Sequence, residues 1–390
     1  MNNKLTNFIT GSNKYAGKTI YFKSLLTEEN KKLVDLLKDL NIEKLNMTSV
    51  GNSIASGYSV SDSIKPLLSR NESLYEMLEN NNIKSELNIF ARCQNNREDK
   101  SLSYMFNNTK KSELNKYNRS DYMKEDVEEN ITVEEVYKYF PIEVENDKGL
   151  DDIILEKEDN LANIIVSCCC TGSFLDNITR GGKILNKGFQ EDLISIECVL
   201  KYIYYKNPYT QVYVSGIPNF LNISITNIVN NRIKSICDKY VNSTYVESVP
   251  AHLFYNKDNK IVVDLHHNEN EYLNLNNNFI SAINDNYLDN MLKTEMHLLF
   301  SSISSKNEVE SPKLKNDSSI IEEKLNNLLL KYKPYYEKQE KSISDTTKNF
   351  IKNYKNNYHH NYFYNQKKTL LIYWKVRANR NIKKIICTII

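Results

Sequence analysis

Short apolar segments alternate with longer amphipathic segments along most of the chain. In the short segments, apolar residues follow one another rather than alternating with polar residues, and β-branched residues are frequent. This is the pattern expected of strands that are covered on both faces. They are Leu45–Val50, Leu87–Ala91, Ile164–Cys170, Gln211–Ser215, Thr244–Val249 and Ile261–Asp264. The segments with helical spacing between them are Ser63–Asn80, Asp192–Tyr205, Ile223–Tyr240 and Glu271–Tyr287. This alternation predicts an open parallel sheet in an α/β domain.

Changes in composition predict the domain boundaries. An N-terminal helical segment, residues 1–41, precedes an α/β domain at residues 42–300. Within this domain, residues 97–150 are polar and carry clusters of both charges, which favours an insertion or lid over the sheet edge. Residues 301–319 are rich in Ser, Asn and Lys and predict a linker. Residues 320–390 then predict a helix followed by a basic, aromatic tail.

The C-terminal part of the chain differs from the rest in charge. A helix is expected over Ile320–Lys333 and should end at Pro334. Residues 331–390 contain 14 Lys and Arg but three Asp and Glu, with Tyr, Phe and Trp interleaved. Cations beside aromatic faces suit weak contact with single-stranded nucleic acid or an anionic membrane surface. A solvated extension and the frameshifted translation of an AT-rich gene are the alternatives.

The composition excludes several classes of protein. Hydrophobic residues make up 40% and charged residues 26% of the chain, which excludes a purely disordered or collagen-like protein. No run of about 18 apolar residues occurs, so no transmembrane helix is expected, and the first residues lack a secretory signal pattern. Seven cysteines is an odd number, and Cys168–Cys170 are consecutive. We therefore expect a cytoplasmic protein whose cysteines lie in a buried strand rather than in disulfides or a metal site.

A turn of small residues follows the first predicted strand. It reads GNSIASG over residues 51–57. Ligands in open α/β sheets bind at the carboxyl ends of the strands, and glycine allows a sharp turn and close approach. Ser53 is therefore a candidate nucleophile. Turns of this kind also commonly end strands without any functional role.

Two of the six histidines of the chain lie at the end of the last predicted strand. The sequence is IVVDLHHNENEY over residues 261–272, and an amphipathic helix follows. A serine nucleophile needs a neutral imidazole to take its proton and a carboxylate to orient that imidazole. Asp264, His266 and His267 supply both types of group, although a pair of loop histidines without a catalytic partner fits the same pattern.

The two blocks together resemble the SGNH (GDSL-type) hydrolase superfamily. The first block of that family, G-D-S-x-x-x-G, matches residues 51–57 with Asn52 in place of Asp. Its last block, an Asp before a His followed by P-N-x-x-G-Y, is similar to residues 264–272. Downstream spacing selects His266 as the base, which we favour, whereas the family's D-x-x-H spacing selects His267. The segment from Gln211 to Phe220 also resembles the family's penultimate strand.

The resemblance covers residues 42–290 and implies a fold and a mechanism. The fold is a flavodoxin-like three-layer α/β/α sandwich with a five-stranded parallel sheet. Ser53 would be the nucleophile, His266 (or His267) the base and Asp264 the residue that orients it. No metal or organic cofactor is implied.

The oxyanion-binding blocks depart from the family pattern. No glycine follows the second predicted strand, and the third is followed by a glycine without the usual asparagine. The resemblance then implies backbone amides of Ser53, Cys93 and Gly172 as donors, with Asn177 as a weaker candidate. Loss of one such donor costs about 10²–10³ in rate.

We therefore expect a serine esterase acting on a small or carbohydrate-linked acyl ester. The alternatives are a catalytically silent binding protein of the same fold, and a nucleic-acid-associated protein that acts through its basic tail. A P-loop resemblance at residues 11–19 is weak because Ser12 stands where the first glycine is required.

Overall fold

The computed structural model describes residues 16–51, 54–55, 67–91, 153–168, 187–218, 223–250, 252–255, 261–264, 267–306 and 314–353. These residues form seven strands and seven α-helices, together with a short 3₁₀ turn at Leu68–Arg70. The strands are β1 (Lys44–Gly51), β2 (Lys84–Ala91), β3 (Leu161–Cys168), β4 (Gln211–Ser215), β5 (Ser243–Val246), β6 (His252–Tyr255) and β7 (Ile261–Asp264). The helices are α1 (Ala16–Asp39), α2 (Glu72–Asn80), α3 (Lys187–Lys206), α4 (Ile223–Cys237), α5 (Glu269–Lys306), α6 (Leu314–Lys338) and α7 (Ile343–Asn353).

Five strands form a parallel sheet in the order β2-β1-β3-β4-β5. This is the flavodoxin-like order, in which the chain adds strands on one side of β1 and then on the other. The central strands β1, β3 and β4 are buried along nearly their whole length because helices cover the sheet. The predicted α/β class and five-stranded parallel sheet are confirmed.

The helices lie in a pattern consistent with a three-layer α/β/α sandwich. Right-handed crossovers require α2, which connects β1 to β2, to lie on one face and α3 and α4 on the other. In agreement with this, α1 packs beside α2, and α3 packs beside α4. The side-chain amide of Asn284 on α5 donates to the backbone oxygen of Glu29 on α1 at 2.9 Å, so this part of α5 lies next to α1.

Side-chain amides of asparagines link three neighbouring strands of the sheet. Asn88 on β2 donates to Asn46 on β1 at 2.8 Å, and Asn46 donates to Asn163 on β3 at 2.7 Å. Asn163 in turn donates to the hydroxyl of Thr210, just before β4, at 3.0 Å. Because each amide has partners only in one alignment of the strands, this asparagine ladder specifies their register.

The chain divides into two compact units. Unit 1 comprises residues up to Cys237 and Ser243–Asn284, and unit 2 comprises Asp238–Asn242 and the residues from Asp285 onward. Helix α1, which was predicted as a separate N-terminal segment, belongs to unit 1. The predicted insertion at residues 97–150 lies outside the described residues.

The prediction that Ile261–Asp264 extends the parallel sheet is wrong. This segment is a strand, β7, but it pairs antiparallel with β6 in a separate two-stranded sheet. Its apolar, β-branched sequence resembles that of a covered parallel strand. The upstream segment HLFY is a partner only five residues away, a separation typical of a β-hairpin.

The predicted linker and the predicted helix end at Pro334 are also wrong in part. Residues 301–306 continue α5, and α6 begins at Leu314 and runs through Pro334 to Lys338. A proline frees the carbonyl of the residue four positions earlier, Leu330, which lies on an exposed part of α6. Tyr332 and Tyr336 on either side of the proline are buried, so packing holds the helix together across it.

Unit 2 contains aromatic residues that the sequence pattern assigned to an exposed basic tail. Tyr332, Tyr336 and Phe350 are all buried, and Phe350 stacks on Phe300 with ring centroids 6.1 Å apart. The Tyr336 hydroxyl donates to Asp289 at 2.6 Å. Tyr332, Tyr336 and Phe350 therefore serve a core, while the interleaved lysines of residues 331–353 are mostly exposed. Of the helices in the described ranges, none is long and apolar enough to cross a membrane.

Candidate active site

The carboxyl ends of β1, β2 and β3 meet at one edge of the sheet. Gly51 at the end of β1 pairs with Ala91 at the end of β2, and Val50 pairs with Ser167 near the end of β3. Strand β1 lies where the strand order reverses, which is the position at which open α/β sheets bind ligands. Ser53 follows Gly51 by two residues along the chain.

Gly51 allows the chain to turn tightly at this edge. A Cβ atom on Gly51 would lie 2.6 Å from the Cβ of Ala55 and 3.1 Å from the Cβ of Cys168. Ile54 and Ala55, which follow β1, are both buried. This close approach requires a glycine at position 51.

A turn at Leu67–Arg70 connects the segment after β1 to helix α5. The backbone N–H of Leu67 donates to the carbonyl of Ala55 at 3.1 Å. The side-chain amide of Asn276 on α5 donates to the carbonyl of Leu67 at 2.8 Å and to that of Tyr272 at 3.1 Å. The segment that follows β1 and the first turns of α5 are therefore joined through one short turn.

Arg70 adds a charged contact between this turn and α5. Its side chain is only 1% exposed, and its guanidinium forms an ion pair with Glu269. The guanidinium carbon lies 4.3 Å from the centroid of the Tyr272 ring, within the range of a cation–π interaction. A buried arginine is stabilised by both contacts, since each compensates for lost hydration.

Helix α5 begins with a capping box. The N–H of Asn268 donates to the Glu271 carboxylate at 2.8 Å, and the N–H of Glu271 donates to the Asn268 side chain at 3.0 Å. These reciprocal bonds satisfy backbone donors that have no partner within the helix. They fix the start of α5 immediately after His267.

His267 is fully buried beside this helix start. Its ring makes an edge contact with the Tyr272 ring, with centroids 5.4 Å apart and an angle of 84°. Its Nδ1 lies 3.7 Å from a carboxylate oxygen of Glu271, beyond hydrogen-bond distance. Within the described part of the chain, neither ring nitrogen has a hydrogen-bond partner. Burying an unpaired polar group costs about 1–3 kcal/mol, so such a group in a folded protein calls for an explanation.

The described residues include only part of the predicted site. Asp264 ends β7, where its backbone pairs with His252, and His267 lies at the start of α5. The remaining predicted residues lie outside the described residues: Ser53, His266, Cys93, Gly172 and Asn177.

Sequence reasoning missed Arg70 and Asn276, which tie the turn to α5. Each is an ordinary polar residue on an otherwise amphipathic segment, so no local pattern distinguishes it. The capping box at Asn268–Glu271 does have a recognisable pattern and would have placed the start of α5 correctly.

In the described part of the chain, no group of three or more His, Cys, Asp or Glu side chains is arranged to hold a metal ion. No model of a known protein family matches this chain, and no curated protein matches it.

Proposed function

We propose that this protein is a serine ester hydrolase of the SGNH type. The observation that carries the proposal is the connection between its two sequence blocks. The carbonyl of Ala55, two residues after Ser53, bonds to the Leu67 turn, and this turn contacts Asn276 and Tyr272 of α5. The segment after β1 and the helix that follows the histidines thus belong to one contiguous part of unit 1.

His267 is the base in this proposal. It is a buried imidazole with both nitrogens unpaired among the described residues, and its ring is oriented by Tyr272. The downstream spacing of the last sequence block favoured His266 and the D-x-x-H spacing His267, so His266 remains the alternative that the experiment must distinguish. Asp264 orients the imidazole in this proposal, because the Glu271 carboxylate lies 3.7 Å from Nδ1, beyond hydrogen-bond distance.

The reaction proceeds through an acyl-enzyme. The Ser53 oxygen attacks the carbonyl carbon of the ester while His267 takes the hydroxyl proton. The tetrahedral intermediate collapses, the carbon–oxygen bond to the alcohol breaks, and the imidazolium returns its proton to the departing alcohol. Water then repeats the sequence on the acyl-enzyme, which releases the carboxylic acid and restores Ser53. Backbone amides of Ser53, Cys93 and Gly172 stabilise the oxyanion, with the Asn177 side chain as a further donor.

We propose a small or carbohydrate-linked acyl group as the substrate. The chain between β2 and β3 is polar at residues 97–150, whereas a lid that binds long acyl chains is rich in apolar residues. Short-chain esters are therefore the appropriate probes.

The test combines turnover with covalent labelling of the nucleophile. Purified full-length protein is assayed with a short-chain chromogenic ester and treated with a fluorophosphonate, followed by peptide mass mapping. We expect the label on Ser53, and we expect loss of about 10⁴-fold or more in kcat in Ser53→Ala. The neighbouring Ser56→Ala is the matched control and should retain activity.

Single substitutions distinguish which of the two histidines is the base. His267→Gln should abolish labelling, while His266→Gln should retain it; the reverse result would assign His266 as the base. Equal turnover in the wild type and Ser53→Ala would overturn the hydrolase proposal. A folded protein with no label and no turnover would instead favour a silent binding protein, in keeping with the altered oxyanion blocks.

A further inference from the structure

We propose that Arg70 is a positioning residue that fixes the orientation of the His267 imidazole through the ring of Tyr272. This inference rests on the proposed function, in which His267 is the base. Arg70 does not itself touch the reacting atoms. It acts on the imidazole through one intervening aromatic ring.

The first step of the argument is that Arg70 is held in place from several directions. It belongs to the Leu67–Arg70 turn, whose geometry is set by the N–H of Arg70 donating to the Leu67 carbonyl at 3.3 Å. The next residue, Asn71, exchanges side-chain amide bonds with Asn30 on α1, at 2.6 and 2.9 Å. The position of the guanidinium is therefore determined by the fold rather than by solvent.

The second step is that Arg70 fixes Tyr272. The guanidinium carbon lies 4.3 Å from the Tyr272 ring centroid, while Glu269, three residues earlier on α5, pairs with the same guanidinium. Arg70 thus holds both the ring and the helix start that carries it. Tyr272 is itself fully buried.

The third step is that Tyr272 orients His267. No described residue accepts or donates a hydrogen bond at either nitrogen of this imidazole. The rotation of its ring then depends on packing, and the edge contact with Tyr272 is the aromatic contact that it makes in the described structure. A general base displaced by about 1 Å can lose about 10²-fold in rate.

The chemistry of the residue also argues against a purely structural role. An arginine whose side chain is only 1% exposed has lost its hydration, and burying a charge is costly even when the charge is paired. An apolar side chain of similar volume would fill the same space without that loss. A planar guanidinium stacks on an aromatic ring in a way that neither methionine nor lysine can reproduce.

The experiment compares Arg70→Met, Arg70→Lys and wild type in the full chain. We expect Arg70→Met to lower kcat on a short-chain ester by about 10- to 100-fold with KM changed less than about threefold. Arg70→Lys should recover part of the loss because it retains the charge. In a Tyr272→Leu background, Arg70→Met should cause no further loss, because the connecting ring is already absent.

A second readout is independent of turnover. The ring resonances of His267 are assigned by NMR through their disappearance in His267→Gln. Arg70→Met should shift or broaden these resonances, whereas Asn163→Ala, at the amino-terminal end of β3, should leave them unchanged although it also weakens the fold. If the wild type shows no hydrolysis but Arg70→Met still moves the His267 resonances, the positioning role stands and the proposed function fails.

The proposal is overturned if Arg70→Met leaves both kcat and the His267 resonances unchanged. It is also overturned if Arg70→Met and Asn163→Ala lower kcat equally at matched stability, since the effect would then be a general loss of folded structure. Should Arg70→Met fail to fold, Arg70→Lys decides in the same two assays. Unchanged kcat and resonances in that folded variant would show that the planar stack does not position the base.

Discussion

Gly216, directly after β4, occupies a position with no room for a side chain. A Cβ atom there would lie 2.7 Å from the Asn230 side-chain oxygen and still closer to the Tyr245 hydroxyl. Asn230 cannot move away easily, because it accepts from the Ile217 N–H at 2.8 Å and donates to the Ile217 carbonyl at 3.0 Å. The carboxyl end of β4 therefore depends on glycine for close approach rather than for an unusual backbone angle.

We expect Gly216→Ala to lower the free energy of unfolding by about 1–3 kcal/mol, as overpacking does elsewhere. Urea unfolding monitored by circular dichroism measures the effect. In a Tyr245→Phe background the same substitution should cost less, since the nearest atom is removed. A loss below about 0.5 kcal/mol in the wild-type background would contradict the proposed clash.

His297 on α5 is a second residue whose environment has a measurable consequence. Burial lowers its pKa to about 4, from an ordinary value of 6.5. The unfolded chain therefore binds a proton in a range of pH where the folded chain does not. As the pH falls from about 6.5 to about 4, the free energy of unfolding should decrease, by about 3 kcal/mol in total from this residue.

The measurement is urea unfolding at several pH values between 7 and 4. Carboxylates titrate in the same range, so the informative quantity is the difference between wild type and His297→Gln. That difference should shrink or reverse toward low pH, because the glutamine carries no proton-linked penalty. Parallel pH profiles for the two proteins would exclude the assigned effect.

At the scale of elements, the asparagine ladder predicts an unequal response to substitution. Asn163 accepts from Asn46 and donates to Thr210, so its removal breaks two buried hydrogen bonds. Asn163→Ala should cost about 1–3 kcal/mol, whereas Asn88→Ala, at the partly buried end, should cost less. Replacing both Asn46 and Asn163 by leucine should be milder than the sum of the single changes. Additive losses in chemical denaturation would argue against a coupled ladder.

The proline within α6 predicts a stabilising substitution. Proline is about 3 kcal/mol less favourable than alanine in a helix interior, and part of this is offset because proline also restricts the unfolded chain by up to about 1 kcal/mol. Pro334→Ala should therefore raise the free energy of unfolding by about 1–2 kcal/mol. The adjacent exposed Lys333→Ala is the control and should change it little. An unchanged or lowered denaturant midpoint of unfolding in Pro334→Ala would mean that the packing of α6 requires proline at this position.

The elements also show what the sequence could predict and why. Strands β1, β3 and β4 were found because continuous β-branched runs have few other interpretations. β7 carries the same local pattern, yet its partner is a hairpin strand, and local sequence does not specify which strands pair. Helix α6 was cut short because proline was taken as a stop, whereas the burial of Tyr332 and Tyr336 keeps the helix intact across it.

At the scale of the whole molecule, the division into two units predicts that a substitution in unit 2 can lower stability without changing the proposed chemistry of unit 1. The described part of the candidate site lies in unit 1, whereas Phe350 and Phe300 stack within unit 2. Phe350→Ala should lower stability by about 3–5 kcal/mol. Below its unfolding transition, the rate at which a fluorophosphonate labels Ser53 should stay within about twofold of wild type. A parallel fall in labelling and stability would show that the site depends on the aromatic core of unit 2.

The sequence could predict only part of the candidate site, because the site depends on contacts between residues that are far apart along the chain. Ser53, Asp264 and the histidines were selected by residue type and spacing, and these remain predictions. The link between the two blocks depends on Asn276 and Arg70, far from their partners along the chain. A contact of this kind is set by the packing of α5 beside the Leu67–Arg70 turn, which no local pattern encodes.

The asparagine ladder has one more consequence. Asn46 and Asn163 lie in the amino-terminal halves of β1 and β3, whereas Gly51 and Cys168 end the same strands at the opposite edge. Because one end of the sheet keeps the strands aligned, the loops at the other end are free to diversify without loss of alignment. Substitutions that follow β1 and β3 at that edge could then be made while Asn46 and Asn163 keep the strands in register.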